Sequence, residues 1–118
     1  MRTMRATWFL LPSLLAALPS THAAGDAPAG KEIFQRWCAA CHAEGPGHPG
    51  TQALDAIYQG SMPAALELRT NLDAAFIKYH VRHGRSTMPF FRKSEISDRE
   101  LDELAAYLVS SPKPAAGP

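Results

Sequence analysis

Cys38-Ala39-Ala40-Cys41-His42 places two thiols and an imidazole within one short run, and no other cysteine occurs in the 118 residues. Cysteine pairs of this spacing followed by histidine are the attachment signature of c-type haem. Two thiols separated by two residues on a helical turn can reach the two vinyl groups on one porphyrin edge. His42 is then carried beneath the iron as its proximal ligand, and the small Ala39 and Ala40 let the macrocycle edge approach the backbone. Rival chemistries lack essential members. A structural zinc site needs four protein ligands and there is no second cysteine pair to supply them. A thioredoxin-like redox pair wants a βαβ setting, and no strand pattern is found.

An electron-carrying iron keeps six ligands so that little rearranges as its charge changes. Met88 stands 46 positions beyond His42, enough chain to wrap a haem and reach its far face. Gly84 precedes it, and Pro89 fixes the backbone just after it. Met88 is the expected sixth ligand; Met62, also followed by a proline, is the alternative. A methionine is otherwise ordinary core filling. His48 is too near His42 to cross the ring; His80 and His83 are also candidates but read as surface or capping histidines. Thioether sulfur favours ferrous iron, so Met/His ligation raises the reduction potential relative to two histidines.

These side chains need helices to hold them. Lys31 to Ala40 reads as a helix with Pro28 suited to its first turn. It leads into Glu44 to Gly50, which is turn chemistry throughout. Thr51 to Tyr58 is a candidate short helix, interrupted by Ser61-Met62-Pro63. A further helix runs over 73–81, with Asn71 or Thr70 as its cap and Gly84 as its left-handed stop. Ser97 to Glu100 is a capping box, and Leu101, Leu104, Ala105 and Leu108 follow as one apolar stripe. With no alternating apolar pattern, the fold class is all-α.

The N-terminus reads as a cleaved signal peptide over residues 1–23. Arg2 and Arg5 are followed by an apolar run to Leu18, then Thr21-His22-Ala23. That run is too short to span a bilayer, so no permanent membrane anchor is expected. Residues 24–110 are then the folded domain, and 111–118 a disordered Pro/Ala-rich tail. Cleavage removes two of the 12 Lys and Arg and none of the 11 Asp and Glu, turning the formal charge of +1 slightly acidic. That balance says nothing by itself about nucleic acid or membrane, and no nucleic-acid partner is expected. Export implies a periplasmic protein, in which free thiols would oxidise unless converted to thioethers. A core this small also benefits from a covalent cofactor as a staple.

With these residues in view, the chain resembles the class I, mono-haem cytochrome c family from Gly30 to Ser110. Gly30 and Phe34 are similar to its first helix, Gly84 to Pro89 to its methionine loop, and Leu104 with Tyr107-Leu108 to its last helix. The resemblance implies three main helices and loops wrapped around one covalent haem c. It implies a close helix crossing at Gly30, filled by Phe34 and Tyr107. It also implies a proline carbonyl, from Pro49 or Pro46, that accepts from the outer nitrogen of His42. Tyr79 to Phe91 and the tail are most similar to short cytochrome subunits partnered with flavin dehydrogenases.

The resemblance therefore implies an electron carrier rather than an enzyme. Its donor would be a flavin dehydrogenase and its acceptor a terminal cytochrome or oxidase. The alternative is a haem enzyme or gas sensor with an open sixth position. From Asp73 to Glu95 no acid interrupts Lys78, Arg82, Arg85, Arg92 and Lys93, while Glu95 to Glu103 is acidic. That separation predicts a dipolar molecule with a basic rim steering an acidic partner to the haem edge.

Overall fold

In the computed structural model, residues 27–111 are described; the expected signal peptide 1–23 and residues 112–118 of the tail lie outside them. The described chain is helical: α1 (Ala27–Trp37), α2 (Ala39–His42), α3 (Pro49–Tyr58), a 3-10 turn (Leu66–Leu68), α4 (Ala74–His83) and α5 (Asp98–Ser110). Among the described residues the one extended pairing is an isolated bridge between Arg85 and Met88. The expected all-α class holds.

The frame is the crossing of α1 with α5. A Cβ on Gly30 would overlap the Glu103 carbonyl oxygen and stand 2.5 Å from the Tyr107 Cβ, so only glycine lets the two backbones meet. Phe34 and Tyr107 fill the space beside it with ring centroids 6.1 Å apart. Phe34, Ile96, Leu104 and Leu108 are completely buried. Burying each such side chain is worth about 1.5–3 kcal/mol. The apolar stripe of α5 is thus the centre of the core, started by a capping box in which Ser97 and Glu100 satisfy each other's backbone N–H groups.

Several boundaries differ from the sequence reading: α1 spans Ala27–Trp37 rather than Lys31 to Ala40, and α3 starts at Pro49 rather than Thr51. The cap of α4 is Asp73, whose Oδ1 accepts from the Phe76 amide at 2.8 Å, not Asn71 or Thr70. Asn71 is instead engaged by Arg69. Gly84 ends α4 at φ 70° and ψ 178°, a region open essentially to glycine alone. Ser111, placed in the tail by its sequence, is buried and donates to the Tyr107 carbonyl at 2.9 Å.

Candidate haem site

Cys38 follows α1 directly, its amide donating to the Phe34 carbonyl at 2.8 Å, so the thiols are attached to the best-packed helix of the fold. Cys38 is half-buried and Cys41 exposed. Together with His42, Cys38 opens onto a cleft of about 410 Å³. Cofactor pockets are of this order. Leu104 and Leu108 of α5 close its back, and Phe76, Ile77, His80 and Val81 of α4 form the wall that also carries Met88.

His42 is prepared for a partner that the protein itself does not provide. Burial holds its pKa below the ordinary imidazole range, keeping the ring neutral. Its Nδ1 is buried without a hydrogen-bond partner. Gly50 backs the ring: a Cβ there would lie 2.7 Å from both the His42 Cε1 and the Cys41 carbonyl oxygen. The expected bond from His42 to Pro49 is not made. Pro49 is the first residue of α3. Pro46 offers no bond to the ring either, and the residue that shapes the His42 seat is Gly50.

The two methionines separate cleanly. Met88 lines the cleft, and its turn is tied by Arg85 N–H to the Met88 carbonyl at 3.1 Å and Met88 N–H to the Arg85 carbonyl at 2.9 Å. The loop then returns to α4 where the Phe91 amide donates to the Val81 carbonyl at 2.8 Å. Met62 lies outside the cleft lining, with its sulfur 3.7 Å from the Asn71 Nδ2.

Three cleft residues escaped the sequence reading. Arg69 is 7% exposed, lines the cleft, and has no carboxylate partner among the described residues. Its Nη1 donates to the Tyr58 hydroxyl at 2.9 Å and its Nε to Asn71 Oδ1 at 3.0 Å. A buried cation without a counter-charge is costly unless an anion joins it. Tyr58 accepts from Arg69, which leaves its own proton to donate elsewhere. The one hint in the sequence is an arginine set among Leu66, Leu68 and Leu72. His80 is the third, turned to the cleft rather than the surface. His83 is exposed as expected and its Nδ1 lies 2.7 Å from the Tyr79 carbonyl, a capping contact.

The expected basic rim is largely neutralised. Lys78 pairs with Asp102, and Arg82 and Lys93 both reach Asp98, at 3.0 and 2.6 Å. Those two hydrogen bonds, Lys93 first, hold the Asp98 carboxyl below the usual carboxylate range. The run of cations is the partner of the acidic last helix across the α4–α5 packing, and Arg85 and Arg92 are the members left without an ion pair among the described residues.

A neutral, half-buried imidazole, a thioether and the Cys38 thiol lining one apolar cleft suit covalent haem. The chain belongs to the family described as cytochrome c oxidase, cbb3-type, subunit III, whose model matches residues 25–108, and is thereby a mono-haem, class I cytochrome c with covalently attached haem c. It is 33% identical to the cytochrome c subunit of the hydroxylating 4-cresol dehydrogenase of Pseudomonas putida, over 99% of this chain and 91% of that one. It is 34% identical to a cytochrome c6 of Synechocystis, over 79% of this chain and 72% of the relative. The solved cytochrome c6 of the diatom Phaeodactylum tricornutum covers 74% of this chain and 94% of its own at 31% identity, with a TM-score of 0.46. Such relatives are electron carriers rather than enzymes, and so is this protein. No helix among the described residues is long and apolar enough to cross a membrane.

Proposed function

We propose that this carrier takes electrons from a dehydrogenase, a flavoprotein in the first instance, and hands them to a terminal cytochrome or oxidase. It works in the periplasm, after export directed by residues 1–23. The observation that carries the donor class is the 33% identity, along nearly the whole chain, to the cytochrome subunit of a dehydrogenase.

At the site, Cys38 and Cys41 would hold the haem as thioethers, and His42 and Met88 would be the side chains that bind its iron. Bound haem supplies a one-electron couple, and Met/His ligation sets it at higher potential than two histidines would. Arg69 and Tyr58 would hold the haem carboxylates: the guanidinium would give the counter-charge, and the Tyr58 hydroxyl proton, not used by Arg69, would be available to the same group. The apolar wall from α4 and α5 keeps water from the iron.

Substitution of each methionine tests the ligand set. Met88→Ala keeps its haem, loses the weak sulfur-to-iron band near the red end of the visible spectrum, and falls in potential. Met62→Ala keeps both band and potential. The reverse pattern would move the ligand to Met62.

A further inference from the structure

His80 has no task in the site described so far. It lies on the α4 face that lines the cleft, on the wall that also carries Met88. Its Nδ1 is cut off from solvent and has no hydrogen-bond partner. Its ring is held edge-on by Phe76, with centroids 4.4 Å apart, and by Tyr79 at 5.4 Å. A polar nitrogen buried without a partner calls for an explanation, such as an ion or a metal it can reach.

The position of Met88 relative to His80 gives one. Gly84, one helical turn beyond His80, is where the methionine loop docks: a Cβ on Gly84 would lie 2.6 Å from the Met88 carbonyl oxygen. Imidazole and thioether thus line the same cleft, with the methionine's backbone docked one helical turn beyond His80. Between Gly84 and Met88 the chain makes a tight turn with Ser86 at φ 55°, a left-handed conformation unfavourable to a non-glycine residue. The turn that presents the sulfur is therefore strained, while the helix that presents the imidazole is not.

We propose that His80 is a latent sixth ligand, whose imidazole takes the iron when the Met88 sulfur is withdrawn. The inference rests on Met88 being the resident ligand. In the exchange the sulfur–iron bond breaks and a nitrogen–iron bond forms. No electron enters or leaves, and any proton on the coordinating nitrogen goes to solvent. Imidazole favours ferric iron and thioether ferrous, so oxidation biases the pair toward His80 and reduction toward Met88. A carrier with this pair drops to lower potential when its methionine loop opens, instead of exposing a vacant iron.

The test compares holoproteins by visible and electron paramagnetic resonance spectra. The wild type shows the sulfur-to-iron band; its absence would overturn the Met88 reading rather than this one alone. Met88→Ala loses the band but stays low-spin and six-coordinate. Met88→Ala with His80→Gln becomes high-spin and binds added imidazole or carbon monoxide. A high-spin Met88→Ala overturns the proposal, as does a low-spin spectrum that persists in the double variant. Should Met88→Ala fail to accumulate, the ferric wild type and His80→Gln are warmed below their unfolding transitions. As the band fades, the wild type remains low-spin and His80→Gln turns high-spin; identical behaviour of the two overturns the proposal.

Discussion

Tyr107 donates its phenolic proton to Glu67, which ties the 3-10 turn at Leu66–Leu68 to the last helix. Burial, then the hydrogen bond to Glu67 and that carboxylate's charge, push the phenol from its ordinary 10.0 up to about 12. The folded chain thus favours the neutral phenol. Its contribution to stability is whole below pH 10 and is lost as the pH rises toward about 12. Thermal midpoints of the wild type should therefore fall more steeply across that window than those of Tyr107→Phe, which has no proton to lose. At neutral pH the variant should be less stable by about 1–3 kcal/mol, since Glu67 loses its donor while packed against α5. Parallel midpoint curves for the two proteins would remove the linkage.

At the level of elements, the crossing of α1 and α5 decides whether the site has walls. Gly30→Ala must push apart a pair of backbones that now touch, so a loss of about 1–3 kcal/mol is expected in denaturant unfolding, with haem still attached. This crossing was legible in the sequence because a glycine one turn before a phenylalanine is a local pattern, as are the cysteine pair with its histidine and the capping box of α5. Those features depend on neighbours within a few residues. The rest depends on what distant elements bring. That His80 faces inward follows from the angle at which α4 lies on α5. That Arg69 is buried follows from Tyr58 and Asn71 closing over it. Pro49 opens α3, ahead of Thr51, and His42 Nδ1 is left without a hydrogen-bond partner. Leu66 and Arg69 likewise take their places from lining the cleft and not from a periodic face of their own.

For the molecule as a whole, sequence separation of charge did not become spatial separation. The cations of α4 and its loop fold against the acids of α5, and the expected dipole shrinks to Arg85, at the cleft mouth, and Arg92. Reduction by an acidic donor should therefore slow by no more than about tenfold between low and physiological ionic strength, at the low end of electrostatic steering. Arg85→Glu should slow it at low salt with an unchanged haem spectrum, while Lys78→Glu, already paired, should do less; stopped-flow rates against salt check both. The same closure of the domain's two ends also sets an order of manufacture. In the closed fold the Cys38 thiol is pushed up to about 12, by burial first and by neighbouring Cys41 second, and is poorly reactive. A chain made from its N-terminus leaves α1 uncovered until α5 is complete. Bonding of the cofactor is thus expected before α5 docks on α1, with the last helix as the clasp that shuts over a haem already fastened.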